Sequence, residues 1–277
     1  MIRPLARLAV GLILCLAAAP LSAQDRRPSH CIAIADAAPG IAFIHRAAWT
    51  DPVPDYSVRL SYLGHSMFLL QTQGGLSVVT DYNGYLGPTL FQPDVVTMNH
   101  AHSSHWTTSV DPEVTHVLKG WGPYGKGAEH NLDLGEMLIR NVPTDIRSFG
   151  GVEPGGNSIF VFEVEGLCIG HLGHLHHEPT DAQYAALGRL DVVMVSVDGG
   201  YTLPLPTIIR VVERLKSSVV IPMHWFSTSA LAQFLAGMED EFAVDYAPQP
   251  FIEVSLRSLP PRPTVMVLQP ELLRDPD

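Results

Sequence analysis

The chain has 277 residues, with 17 lysines and arginines against 28 aspartates and glutamates, so its formal net charge at pH 7 is −11. A chain this acidic, with three lysines and no basic run, is poorly suited to binding nucleic acid or an anionic membrane surface. We therefore expect a small-molecule substrate and no nucleic-acid partner, and the oligomeric state stays open.

The N-terminus carries a targeting pattern. Two arginines precede an apolar run that ends near Pro20, and the small residue Ala23 closes the segment. This pattern predicts a secretory signal peptide over residues 1–23, which is too short for a stable membrane anchor. We expect an exported protein, periplasmic or secreted, that begins near Gln24.

Residues 24–56 are rich in Ala, Pro and Asp, and they predict an irregular lead-in to one domain over residues 57–277. Cys31 in the lead-in and Cys168 in the domain are the cysteines left after cleavage. In an oxidising compartment these two could pair, which would clip the lead-in to the domain. Two unpaired buried thiols agree equally well with the sequence.

Apolar and alternating runs predict strands through the first half of the domain and helices alternating with strands in the second. Thr180 is suited to cap the first of these helices. A strand-rich half followed by an alternating half predicts two packed sheets covered by helices. The predicted strands cover residues 58–63, 67–71, 76–80, 94–98, 137–142, 158–164, 167–172, 191–197, 218–224, 251–256 and 264–269, and the predicted helices cover 180–190, 207–217 and 229–242.

Histidines gather in the loops that follow the predicted strands. One group is the run NHAHSSHW with His100, His102 and His105; a second is GHLGHLHH, and the third is His224 in IPMH. Imidazole suits zinc and similar transition metals, and three or four such ligands complete a zinc site. The three groups together therefore predict a metal site.

The order of the motifs LGHSMFLL, TDYNG, NHAHSSH, GHLGH and IPMH resembles the metallo-β-lactamase superfamily. The resemblance is strongest to the branch that contains ascorbate-6-phosphate lactonases and N-acylphosphatidylethanolamine phospholipase D, and it spans roughly residues 58–268. It implies an α/β fold, a four-layer αββα sandwich with the active site at one edge.

The family's central motif, His-x-His-x-Asp-His, matches this chain in its histidines but not in its acid. His100, His102 and His105 take the histidine positions, and Ser104 stands where the family has aspartate. A further family histidine, expected in the stretch RNVPTDIRS, is missing there. Asp145 is the nearest residue in that stretch able to coordinate a metal.

The family's later motifs continue the same pattern. His171 matches the start of the His-x-Gly-Asp motif, but His174 replaces its metal-bridging aspartate; the last metal histidine matches His224. Two dications about 3.5 Å apart repel by roughly 19 kcal/mol at an effective dielectric constant of about 20. Because both family carboxylates are replaced, we predict one ion, zinc, with iron or manganese as alternatives.

The resemblance implies five metal ligands, His100, His102, His105, His174 and His224. Two triads remain open for a single ion. One joins the third histidine of the central motif to the two later ones, as His105, His174 and His224. The other is His100, His102 and His174, with Asp145 joining it or acting as a base.

Other residues on the same loops receive supporting roles. His65, Asp81 and His171 are expected around the ligands, with Asp81 either orienting a metal histidine or capping a strand-exit turn. Asp198, in VDGGY, joins Asp145 as a candidate catalytic residue. His176 and His177 are expected to form pocket walls. Aromatic side chains either line the pocket or belong to the core, and they are Trp106, Trp121, Tyr124, Tyr201 and Trp225.

The leading hypothesis for function is an exported metal-dependent hydrolase, in which metal-bound hydroxide attacks a lactone, an ester or a phosphodiester. The alternative is a catalytically degenerate superfamily member that serves as a binding or metal-holding module. The two replaced aspartates favour the alternative, and the five retained histidines favour the hydrolase.

Overall fold

The computed structural model describes residues 29–33, 48–123 and 125–276. The predicted signal peptide and Tyr124 lie outside these residues. No helix in the described ranges is long and apolar enough to cross a membrane. The described elements are, in chain order, α1 His30–Ala33, β1 Val58–Gly64, β2 Met67–Thr72, β3 Ser77–Val79, β4 Val95–Met98, β5 His116–Lys119, β6 Asn131–Asp133, β7 Met137–Ser148, β8 Gly151–Val164, β9 Leu167–His171, α2 Asp181–Leu187, β10 Val192–Ser196, α3 Leu205–Leu215, β11 Val219–Met223, α4 Thr228–Met238, β12 Ala243–Tyr246, β13 Phe251–Val254 and β14 Thr264–Val267.

The strands form two sheets. One has six strands in the order β13-β1-β2-β3-β4-β5, and the other has eight in the order β12-β14-β11-β10-β9-β8-β7-β6. Short turns join β1 to β2 and β7 to β8, which run antiparallel, while helices separate β9, β10 and β11, which run parallel. This division follows from connection length, because a parallel pair needs a long crossover and an antiparallel pair does not.

The two sheets pack face to face around an apolar core. Leu60 and Phe68 of the six-stranded sheet and Ile139 and Phe160 of the eight-stranded sheet are fully buried in it. Alternate residues of the same strands point outwards, as the two-residue period of a strand requires. The sheet-on-sheet packing confirms the α/β sandwich.

Helices and loops cover the outer faces. On the eight-stranded sheet, Leu187 of α2, Val212 of α3 and Phe234 of α4 bury their side chains in one cluster. Thr180 caps α2 as predicted, and Gln183 completes a capping box with it. On the six-stranded sheet, the described covering residues come from loops, and they include Trp49, Leu86, Phe91, Trp106 and Trp121.

The hairpin of β7 and β8 is longer than the apolar runs predict. The pairing continues past Val142 to Ser148 and Gly151, with a register shift between Thr144 and Ile146. The stretch around Asp145 is therefore the outer part of a strand with a bulge. Its residues are more polar than those of the buried part, so the apolar pattern ends before the strand does.

A disulfide joins Cys31 to Cys168, with Cα atoms 5.8 Å apart, so the structure shows the pairing and not the alternative of two free thiols. Ionic and polar contacts hold the same segment. Glu163, whose side chain is buried, accepts hydrogen bonds from Ser29 Oγ, from the His30 backbone N–H at 3.0 Å and from Arg140 Nε at 2.7 Å. The lead-in is thus ordered at α1, where the sequence predicted irregular structure.

Candidate metal centre

Six strand ends meet at one edge of the sandwich. The strands β1, β3 and β4 run in the same direction and deliver His65, Asp81 and the His102–His105 loop from one sheet. From the other sheet, β9, β10 and β11 deliver the loops of His174, Asp198 and His224. Histidines 102, 105, 174 and 224 offer ring nitrogens that all lie within 4.8 Å of one another. We call these four residues the histidine cluster.

Three rings of the histidine cluster are held through Nδ1. His105 Nδ1 lies 2.7 Å from Asp81 Oδ2, and His224 Nδ1 lies 2.8 Å from Asp198 Oδ2. For the third ring, Ser104 Oγ lies 2.7 Å from Nδ1 of the neighbouring His102. A partner on Nδ1 sets the tautomer and orientation of a metal-binding imidazole and leaves Nε2 as the free nitrogen.

The free nitrogens fit a metal ion. Nε2 of His105 and Nε2 of His224 are buried with no hydrogen-bond partner, an arrangement that costs about 1–3 kcal/mol for each isolated buried group. His102 Nε2 and His174 Nε2 are 2.9 Å apart, close to the spacing of about 3.3 Å between two nitrogens on one tetrahedral zinc. The donor set is four imidazoles, which suits zinc and its transition-metal neighbours.

Electrostatics keep these rings in their metal-binding form. Burial lowers the pKa of His105 and of His174 well below the usual value, and burial also lowers that of His102. Burial raises the pKa of Asp198, but hydrogen bonds, foremost from His224, outweigh it and hold that pKa well below the usual range. At pH 7, His102, His105 and His174 are therefore neutral imidazoles, and Asp198 is a buried carboxylate anion.

The backbone is strained where it presents the site. His65, Asp81 and His224 have φ of +53°, +45° and +55°, a region that costs a non-glycine residue about 1–3 kcal/mol. The strain is held in place locally, since the His224 backbone N–H donates to His65 O at 2.8 Å and Tyr62 Oη donates to the same carbonyl at 2.8 Å. At each strand end this backbone conformation, and not an extended one, sets the direction of the side chain.

His100 does not join the histidine cluster, which corrects the prediction of five converging ligands. Its Nδ1 lies 2.7 Å from Glu153 Oε1, and its ring stacks on Trp121 with centroids 5.0 Å apart. Its backbone N–H donates to Gly156 O at 3.0 Å, so β8 holds this residue. The triad of His100, His102 and His174 is therefore not assembled, whereas His105, His174 and His224 are.

The two aspartates predicted to be catalytic occupy different places. Asp145 is exposed at the bulge of β7, where its Oδ1 accepts from the Gly155 backbone N–H at 2.9 Å, and it is not grouped with the cluster. Asp198 does reach the site, but both its oxygens are engaged. It accepts from His224 and from the hydroxyl and backbone N–H of Thr202, which makes it a positioning partner.

The other predicted histidines surround the cluster. His65 places its ring centroid 4.1 Å from that of His224, and burial lowers the pKa of His65 to about 3. His171 is fully buried with Nε2 2.8 Å from Ser66 O, so it braces the wall of the site. The ring of His176 meets that of His174 edge-on at 4.6 Å.

Sequence reasoning missed several residues that support the site. Asn157 Oδ1 accepts from the His174 backbone N–H at 2.9 Å, and Asn99 Nδ2 donates to Asp81 at 2.8 Å. The sequence shows Ser104 only as the replacement of a family aspartate, whereas in the structure its hydroxyl lies against Nδ1 of His102. Asn99 could have been suspected because it opens the histidine loop, whereas nothing near Asn157 in sequence points to a metal.

Comparisons with known proteins agree with this geometry. A family model described as a beta-lactamase superfamily domain matches residues 59–224, so the chain belongs to that family. It is 23% identical over 202 residues to a UPF0173 metal-dependent hydrolase of Methanosarcina barkeri, covering 64% of this chain and 86% of the relative. A second such hydrolase, from Methanoculleus marisnigri, is 26% identical over 200 residues, covering 64% and 85%.

Solved structures show the same fold. A Thermotoga maritima protein of the metallo-β-lactamase superfamily, described as a candidate Zn-dependent hydrolase, is similar with a TM-score of 0.54 and 25% identity, over 76% of this chain and all of that one. The metallo hydrolase Igni18 of Ignicoccus hospitalis is similar with a TM-score of 0.50 and 20% identity, covering 66% and 91%. The predicted superfamily is thereby confirmed.

The role of Asp198 can be tested against that of Asp145. We expect Asp198→Asn to weaken zinc affinity by about 10- to 100-fold, because it removes the anion that orients the ring of His224. Competition with a chromophoric chelator measures the change. Asp145→Asn makes the same substitution outside the cluster and should leave the affinity unaltered; equal losses in both variants would contradict the assignment.

Proposed function

We propose that this chain is a hydrolase that uses a single transition-metal ion, zinc in the first place, held by the histidine cluster. The observation that carries the proposal is the set of buried, unpaired ring nitrogens at the point where four imidazoles converge. Family membership and the names of the relatives support the reaction class. A bound zinc ion would polarise the substrate's oxygen and lower the pKa of water to near 7.

The residues of the chain supply orientation and a dry surrounding. Asp81 and Asp198 hold His105 and His224 through Nδ1, and Ser104 holds His102, so three rings are positioned before a metal arrives. His105 and His224 are almost fully buried, which limits competition from bulk water. His102 is exposed, so the cluster is open to substrate on that side.

A single ion is favoured over a pair because of the charge of the ligands. The grouped donors are four imidazoles, which bind a metal in their neutral form, and no carboxylate of the described residues belongs to the group. Asp81 and Asp198 are already engaged with ring nitrogens. Two dications at a spacing of about 3.5 Å would repel by roughly 19 kcal/mol at a dielectric constant of about 20, with little to offset it.

We also propose that the protein is exported. The N-terminal pattern of residues 1–23 motivates this proposal, and the Cys31–Cys168 disulfide supports it, because disulfides persist in oxidising compartments. Fractionation with N-terminal sequencing of the mature chain should find it outside the cytoplasm, starting near Gln24. A cytoplasmic chain that retains its first residues would contradict this.

Metal analysis with an activity assay tests the function. We expect about one zinc per chain, loss of ester or phosphodiester hydrolysis on chelation, and recovery with one equivalent of zinc. A protein that binds one metal yet hydrolyses none of these substrates would favour the alternative, a metal-holding module. The replacement of both family aspartates is the observation that supports this alternative.

Restoring the two family acids should change the metal count. In Ser104→Asp with His174→Asp, the new carboxylates offset the repulsion between two ions, so we expect bound zinc to rise from about one ion per chain towards two. Mass-spectrometric metal analysis measures the ratio. Ser103→Asp with His177→Asp adds the same charge to the same loops outside the cluster and should keep one ion. Two ions in the unaltered protein would show that the charge argument is wrong.

A further inference from the structure

Exposed aromatic side chains stand directly beside the histidine cluster. Phe226 follows His224 by two residues, and its ring centroid lies 4.8 Å from that of His224 and 5.5 Å from that of His65. The phenylalanine nevertheless remains 61% exposed. Tyr201, from the loop after β10, is 70% exposed and meets Phe226 edge-on at 5.7 Å.

The outer end of the β7–β8 hairpin adds a third aromatic residue. Phe149, in the turn between the two strands, is fully exposed at 115% of its reference area. Two residues earlier, Arg147 Nη2 donates to the carbonyls of Gly200, Tyr201 and Thr202 at 3.2, 2.6 and 2.9 Å. The hairpin end is thus fastened to the loop that carries Tyr201. We call Phe149, Tyr201 and Phe226 the apolar rim.

The charged groups of the hairpin give an anion little to bind. Asp145 and Glu153 are carboxylates, and Arg147 is one guanidinium that already donates to three carbonyls. Glu153 is paired with His100. Exposed apolar side chains beside a reactive site are typical of a ligand-binding surface. An uncharged substrate suits two carboxylates and one engaged guanidinium better than a phosphodiester does.

We propose that the apolar rim binds the alkyl or aryl group of an uncharged carboxylic ester and thereby determines specificity; this rests on the proposed hydrolase function. In the reaction the acyl carbon gains the hydroxyl of water, the C–O bond to the alcohol breaks, and the alcohol oxygen takes the proton. Phe226 is the central residue of the rim because it contacts both the cluster histidine His224 and Tyr201.

The test compares chain lengths on the zinc-loaded full-length protein. p-Nitrophenyl octanoate and acetate differ by six methylenes, each worth about a fourfold gain when fully removed from water, so partial burial should raise kcat/KM for octanoate on the order of 10- to 100-fold. Phe226→Ala should lower the octanoate-to-acetate ratio about tenfold, and Phe226→Leu should restore part of it. Metal content is measured in every variant.

Ile32→Ala is the matched control. Ile32 is 56% exposed beside Cys31, which is bonded to the opposite end of β9 from the site, so this variant should keep the wild-type ratio. Binding of octanohydroxamate against acetohydroxamate, measured by calorimetry, reports on the rim without turnover. The longer hydroxamate should bind more tightly, and Phe226→Ala should remove that advantage.

The outcomes separate the two proposals. Equal kcat/KM for the two esters, or a Phe226→Ala ratio like that of Ile32→Ala, overturns the apolar rim while hydrolysis stands. Preferential cleavage of bis-p-nitrophenyl phosphate overturns the ester assignment. If zinc is bound and none of these substrates is cleaved, the proposed hydrolase function is wrong. In that case the binding measurement still tests the apolar rim, and equal affinity for the two hydroxamates would overturn it.

Discussion

Replacing His224 with alanine is expected to lower zinc affinity at least about 100-fold, because losing a direct ligand should exceed the 10- to 100-fold effect of losing an outer partner. His100→Ala, by contrast, should leave the affinity within about threefold. The physical reason is their placement: His224 belongs to the histidine cluster, whereas His100 is bound to Glu153 and stacked on Trp121. Chelator competition and metal analysis measure both variants.

A second variant that removes a metal ligand controls for the effect of backbone strain at His224. His224 has a positive φ, so alanine there adds backbone strain as well as removing a ligand. His105→Ala carries no such strain and should lose zinc to a similar extent, with circular dichroism used to check that the fold is retained. Loss of zinc in His100→Ala with retention in His224→Ala would instead support the triad of His100, His102 and His174.

Removing the disulfide is expected to produce the largest change in stability. In Cys31→Ala with Cys168→Ala, the free energy of unfolding should fall by about 2–5 kcal/mol, since the bond restricts the unfolded chain across a long loop. The separation of 137 residues places the expectation near the upper end of that range. Urea unfolding followed by circular dichroism gives the difference.

The disulfide prediction has two internal controls. Reductant should destabilise the wild-type protein and leave the double variant unchanged. Zinc content should stay the same in both, because Cys168 is the second residue of β9 while His174 lies beyond the other end of that strand. Unfolding midpoints that agree between wild type and variant would show that the contacts of Glu163 with Ser29, His30 and Arg140 suffice to hold the N-terminal segment.

Local patterns were sufficient for much of the fold. Buried strands such as β10 and β11 read as continuous apolar runs, and the turn at Glu165 and Gly166 separates β8 from β9 as predicted. In contrast, β5, β6 and β12 were not predicted. These are edge strands of three or four residues, and pairing with a neighbouring strand stabilises them more than their own composition does.

The sequence by itself determined the superfamily, the histidine loops at the strand ends and the replacement of both family acids at Ser104 and His174. Only the tertiary structure decided which histidines converge. His100 and His102 are two residues apart in one loop, and sequence spacing treats them alike. Glu153 of the β7–β8 hairpin binds the first, and His174 from after β9 meets the second. Such contacts depend on chain segments more than 50 residues away, so no local pattern could have separated the two.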